Sequence, residues 1–204
     1  MPVALSRPKP GDHGSRVAEG KVESLRNNDD SATIVLMTRS HVHIIKTGGT
    51  IEFHDPAYED MNNILLKLDS SIDSYLSKLI QPHFTYSIEQ AFSKDSRDIT
   101  EEDRQKLLAA IASSPHKNIV ITHGTFTMRN TAEFIEKQLP KDKKIIITGA
   151  MIPITGFASS DAGFNLGYAI GLLDSLEPGV YLSMNGGVFS SSEVRKNTDI
   201  FRFE

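Results

Sequence analysis

Short β-branched runs alternate along this chain with stretches at helical spacing, and that alternation constrains the fold more than any other feature. Strands are expected at about 42–46, 83–88, 118–122, 144–148 and 180–184. Between them, Leu65 to Ile80, Thr100 to about Ser113, Met128 to Gln138 and Asp161 to Leu173 place apolar side chains at helical intervals. Thr100 followed three residues later by Asp103 gives the second stretch a capping-box entrance, with Asp in place of the usual Glu. Strands separated by helices cannot pair as hairpins, so they pair in parallel through crossovers. The expected architecture is α/β, a three-layer Rossmann-like, mostly parallel sheet with helices on both faces. No internal repeat is visible.

Composition narrows the function. A chain of 204 residues with 39% apolar content can bury one substantial core. A formal charge of −4 leaves no electrostatic footprint for nucleic acid. Without cysteine there is neither a disulfide framework nor a thiolate metal site. No apolar run reaches the roughly 18 residues that span a bilayer, and the N-terminus lacks the apolar stretch of a secretory signal. These features lead to the expectation of a soluble cytoplasmic protein that binds no nucleic acid and no membrane. Residues 1–38 carry Pro2, Pro8, Pro10 and a polar run at 26–31 with little apolar periodicity, and are expected to be a flexible extension before a domain at 39–204. Met37 is a candidate alternative start.

Two loops stand out because a threonine follows a glycine turn at a strand end. The first is Thr47-Gly48-Gly49-Thr50 and the second His123-Gly124-Thr125-Phe126-Thr127. Taken alone, the first is equally well a turn that lets the chain leave its strand. In the sharper reading Thr50 is a nucleophile, whose hydroxyl needs a neighbouring base or a desolvated site. A phosphate cradle fits less well, because the Lys-Ser/Thr ending of a P-loop is absent. His123, a histidine at a strand end, is more often packed than catalytic. His41 and His43 share one strand face without a third ligand, so no metal is expected. Asp95-Ser96-Arg97-Asp98-Ile99-Thr100 reads as a helix entrance that could also hold the polar end of a small amide. Lys196 by itself reads as a solvated lysine.

In their order, these motifs resemble the N-terminal domain of the asparaginase/glutaminase family, the bacterial-type enzymes with a threonine nucleophile. The resemblance runs from about His43 to Phe203. It takes in Thr-Gly-Gly-Thr-Ile (47–51), Asp-Ser-x-Asp-Ile-Thr (95–100), Ile-Thr-His-Gly-Thr (121–125) and Thr-Gly-Ala-Met-x-Pro (148–153). A Phe-Asn-Leu stretch within Ser160–Leu166 and Met184-Asn185 leading to Lys196 complete it. It implies an amidohydrolase that releases ammonia from a small-molecule amide without metal or organic cofactor. Position by position, Thr50 matches the nucleophile, Thr125 the second catalytic threonine and Lys196 the lysine paired with it. Ser96 matches the serine that binds the substrate carboxylate, and Tyr58 the tyrosine of the mobile loop. Gly49, Asp95, Arg97, Gly124, Phe126 and Ala150 complete the implied substrate-binding set. The resemblance also implies a homodimer or higher homo-oligomer, and no counterpart in this chain to the family's C-terminal domain.

One departure bears on substrate. Where the family's second loop reads His-Gly-Thr-Asp-Thr-Met, with an aspartate that binds the substrate α-ammonium, this chain has Phe126. A phenyl ring offers that ammonium no carboxylate, so L-asparagine is expected to be a poor substrate. Loss of that charge is also expected to lower the pKa of Lys196. Two other classes remain open at this point: a catalytically silent ligand-binding module on the same fold, and a subunit of a larger amidotransferase.

Overall fold

The central strands are nearly continuous apolar runs, as strands buried on both faces require. In the computed structural model, which describes residues 40–53, 71–138, 142–155, 159–200 and 202–204, they form β1 (Val42–Gly48), β3 (Asn118–Thr122), β4 (Lys144–Thr148) and β5 (Gly179–Met184). Together with β2 (Tyr86–Lys94) and β6 (Gly187–Ser190) they make one six-stranded sheet in the order β2-β1-β3-β4-β5-β6. Pairing is parallel throughout except for β6, which runs antiparallel to β5. A separate ribbon pairs β7 (Lys196–Asn197) with β8 (Arg202–Phe203). All described residues belong to the unit Arg39–Glu204. The expectations for residues 1–38, for Tyr58 and for the helical stretch before Ser71 lie outside the described residues.

Alternation along the strands sends side chains to two helical layers. Ile45, Ile119, Ile121, Ile145 and Ile147 face α2 (Glu101–Ser113) and α3 (Met128–Glu136), where Leu107, Ile111, Met128 and Ile135 meet them. Val42, Ile44, Val120 and Ile146 face α1 (Ser71–Ser74), its π-helical continuation Tyr75–Ile80, and α4 (Ala162–Leu172). Each fully buried isoleucine contributes on the order of 1.5–3 kcal/mol of transfer free energy. The expected three-layer architecture is therefore the observed one. Its boundaries differ in detail. β2 extends to Lys94 because it pairs with β1 as far as Gly48↔Lys94 through an irregularity after Lys46. As an edge strand it leaves Glu89 and Gln90 exposed, and this polar pair separates Ile88 from Ala91 and Phe92, which pack against the core.

The strand order places the functional loops. From β1 the chain crosses to β2 on one side and then returns to β3 on the other. The carboxyl ends of β1 and β3 thus flank a topological switch point, where open α/β sheets form a crevice. The register is level there: Lys46 pairs with Thr122, and Thr122 with Thr148. Lys46, Thr122 and Thr148 therefore lie in one row across the sheet, and the loops that follow β1, β3 and β4 open over the crevice.

Candidate active site

Close backbone packing joins the loops. Gly49 has φ +80°, and a Cβ there would lie 2.4 Å from the Gly124 nitrogen. A Cβ on Gly124 would in turn lie 2.7 Å from the Ser96 side chain. Only glycine lets the loops after β1, β2 and β3 meet in this way. The contact brings the two threonine-bearing loops together one residue before Thr50 and one before Thr125. Thr50 opens a 3-10 turn (Thr50–Glu52) and is exposed, and its hydroxyl makes no hydrogen bond among the described residues.

Beneath this contact the strand ends are cross-tied. The Thr47 hydroxyl donates to the Thr122 carbonyl at 2.7 Å, and the Thr122 hydroxyl donates to Glu52 Oε1 at 2.5 Å. Glu52 also accepts the Gly48 N–H at 3.3 Å and lies 3.6 Å from Lys46 Nζ. Burial raises the Glu52 pKa against the opposing pull of these donors. His123 is fully buried: Nδ1 donates to the Gly124 carbonyl at 2.7 Å and Nε2 accepts the Thr131 hydroxyl at 2.9 Å. Burial pushes its pKa down to about 4, so it is a neutral prop under the second loop.

The central contact comes from the ribbon. Lys196 Nζ donates to the Thr125 hydroxyl at 2.7 Å and lies 4.2 Å from the centroid of the Phe126 ring. Burial lowers the Lys196 pKa, and no charge among the described residues counters it. Val194 and Phe203, both buried, dock the ribbon on the core, while Arg129 donates to the carbonyls of Ser192 and Val194 at 3.1 and 3.3 Å.

The loop after β2 supplies the remaining polar groups. Ser96 is buried; its Oγ accepts the Phe126 N–H at 3.2 Å, and its own hydroxyl hydrogen has no acceptor among the described residues. The Thr127 hydroxyl donates to the Ser96 carbonyl at 2.6 Å. Arg97 donates through Nε and Nη2 to the Asp95 carboxylate at 3.0 and 2.9 Å, and its guanidinium lies 4.9 Å from the Phe126 centroid. The hydrogen bonds from Arg97 hold the Asp95 carboxyl at about 2. Lys94 and Thr100 grip Asp103, which completes the expected capping box and fixes where α2 begins.

Gly49, Ser96, Gly124, Thr125, Phe126 and Lys196 thus form one connected cluster, with Asp95 and Arg97 at its rim and Thr50 beside it. Ala150 is buried below, packed with Ile51 and Ala162. A polar relay under the site was not foreseen. Asp161 accepts the N–H groups of Met151 and Ile152, and Asn165 donates to Asp161 and to the Gly149 carbonyl. Asn165 Oδ1 accepts the Asn185 N–H, and Asn185 Oδ1 accepts the Phe203 N–H, each at 3.1 Å. This relay ties the β4 loop to the ribbon that carries Lys196. Neither Asp161, at the start of α4, nor Asn165, one turn further on, nor Glu52 carries a spacing signal in the sequence.

Known proteins share this fold. The family model described as Asparaginase, N-terminal matches residues 41–200. Glutaminase-asparaginase of Acinetobacter glutaminasificans is 31% identical over 172 residues, covering 79% of this chain and 51% of its own length. L-asparaginase 2 of Escherichia coli is 30% identical over 173 residues, covering 80% and 49%. The crystal structure of L-asparaginase I from Vibrio cholerae superposes with a TM-score of 0.65 at 25% identity, covering 82% of this chain and 51% of that one. A probable cytoplasmic L-asparaginase from Campylobacter jejuni gives 0.62 at 29% identity, covering 78% and 48%. The chain spans about half the length of these relatives. A parallel sheet with glycine-joined threonine loops at its switch point and a lysine on the second threonine accords with the match, and this chain belongs to the asparaginase family, to whose N-terminal domain it corresponds.

Proposed function

We propose that this chain is a threonine amidohydrolase that releases ammonia from a small amide. The observation that carries the reading is the 2.7 Å contact between Lys196 Nζ and the Thr125 hydroxyl, at the crevice where Thr50 is presented. A threonine hydroxyl is a weak nucleophile until a base takes its proton. A lysine whose pKa is lowered by burial is suited to that task once neutral.

In this reading Thr50 attacks the amide carbonyl, and its proton passes through Thr125 to the neutral Lys196. The N–H groups of Gly124 and Thr125 have no acceptor among the described residues and are suited to receive the developing oxyanion. Collapse breaks the C–N bond. The proton held by Lys196 goes to the departing nitrogen, so ammonia leaves and an ester on the threonine remains. Water then cleaves the ester by the same base and returns the free hydroxyl. Ser96 orients the substrate through its free O–H, and Phe126 lines the wall where an α-ammonium would sit. Phe126 already lies against the Arg97 guanidinium, so it has little π charge to offer an ammonium. L-Asparagine is accordingly a poor substrate.

The Lys196 contact favours a second reading, in which Thr125 is itself the attacking hydroxyl. Trapping the ester decides between the two. Mass spectrometry of the chain quenched during turnover places the added acyl group on the peptide of Thr50 or on that of Thr125. Thr50→Ala and Thr125→Ala serve as controls. A folded protein that releases no ammonia from any small amide and traps no ester sinks both readings.

Assembly as a homo-oligomer belongs to the same proposal and is checked by light scattering. So does a cytoplasmic location. It is supported by the name of the Campylobacter jejuni protein, whereas a 30%-identical relative from Haemophilus influenzae is named a probable periplasmic L-asparaginase. No helix among the described residues is long and apolar enough to cross a membrane.

A further inference from the structure

We infer that the site is built for the monoamide of a dicarboxylic acid that lacks an α-ammonium, because Phe126 lies against both Lys196 and Arg97 while Asp95 is engaged by Arg97. The inference rests on the amidohydrolase reading and names its substrate class.

Phe126 is 59% exposed, so its ring meets whatever enters the crevice. Lys196 lies 4.2 Å and Arg97 4.9 Å from its centroid. A substrate ammonium brought to this wall would meet the Arg97 guanidinium, a ring whose π charge that guanidinium already engages, and a Lys196 amine that offers it no negative charge. The carboxylate best placed to offset that repulsion is Asp95, yet both of its oxygens bind Arg97, at 3.0 and 2.9 Å. Among the described residues no carboxylate forms an ion pair with Lys196.

The same surroundings suit an anion. Ser96 is buried with an uncommitted O–H, and Arg97 commits Nε and Nη2 to Asp95 while Nη1 has no acceptor among the described residues. These donors and the Thr125–Lys196 pair all border Phe126. A short substrate with a carboxylate at one end and an amide at the other would place its amide at the threonines and its carboxylate at Ser96 and Arg97. Its unsubstituted, or carbonyl-bearing, carbon would then rest on Phe126.

The test measures ammonia release by the full chain from succinamate, L-asparagine and butanamide, compared as kcat/KM. Succinamate should exceed L-asparagine, which adds the ammonium, and butanamide, which lacks the carboxylate, each by at least tenfold. L-Asparagine at or above succinamate overturns the inference and leaves the amidohydrolase standing, as does butanamide equal to succinamate. If none of the three is turned over, the amidohydrolase reading fails. Calorimetric binding then decides the recognition: succinamate bound tenfold more tightly than L-asparagine sustains it, and equal or reversed affinities overturn it. Phe126→Asp supplies an independent arm, since it should move the succinamate-to-asparagine ratio at least tenfold toward L-asparagine. An unchanged ratio in the folded variant counts against Phe126 as the selecting residue.

Discussion

Lys196 and Thr125 are 71 residues apart in sequence and 2.7 Å apart at the end of the sheet, the amine donating to the hydroxyl. If this pair moves the proton, removing either member removes the same function. Lys196→Met should lower kcat by roughly 10²–10⁴. Thr125→Ala should lower it comparably, and the double variant should be little worse than either, since groups acting as a unit are not additive. Steady-state kinetics of the three variants checks this, and additive losses would separate the two residues.

The pH dependence should report the lysine. A general base works when neutral, so kcat/KM should climb as pH rises through the Lys196 pKa and level off above it. Burial has moved that pKa below the usual lysine value, so the climb comes at lower pH than an exposed lysine would give. Phe126→Asp sets a carboxylate beside the ammonium and should move the climb upward by about 1–3 pH units. A pH–rate profile of both proteins reads the displacement, and coincident profiles would remove Lys196 from the rate law.

Stability should fall in mild acid because of His123. Its folded pKa, about 4, lies below the ordinary value of 6.5, so the unfolded chain takes up the proton first. The neutral-form advantage is whole above pH 6.5 and is lost as pH drops toward 4, an effect of roughly 3 kcal/mol at most from this one residue. Denaturant unfolding at a series of pH values should show that slope, and His123→Gln should flatten it. An equal slope in the variant would place the acid sensitivity elsewhere.

Glu52 holds the first loop from below. Glu52→Ala removes the acceptor for the Thr122 hydroxyl and the Gly48 N–H together, and should destabilise the chain by about 2 kcal/mol or more. It should also loosen Thr50 and so lower kcat more than it raises KM. Calorimetry and kinetics on the same preparation test both halves, and full activity in a destabilised variant would make Glu52 purely structural.

How legible this was depends on where each residue lies. The runs at Ile44-Ile45, Ile119–Ile121 and Ile145–Ile147 are central strands covered on both faces, so composition alone betrays them. β2 beyond Ile88 is an edge exposing Glu89 and Gln90, and the ribbon strands are two residues each, too short for any period to register. The glycine loops show themselves because only glycine permits their approach. Lys196 taken alone gives no sign, since its role is created by a ribbon that folds back onto Thr125. The Glu52 and Asp161 networks are equally silent, being tertiary contacts between polar residues with no spacing rule.

Lys196 does not ride on the sheet that carries the threonines. It arrives on a small antiparallel ribbon pinned by Phe203, Val194, Asn185 and the arms of Arg129. In the proposed reaction, exposed positions of the ribbon can therefore retune the lysine while the strands beneath the threonines stay as they are, whereas its buried anchors Val194 and Phe203 belong to the core itself.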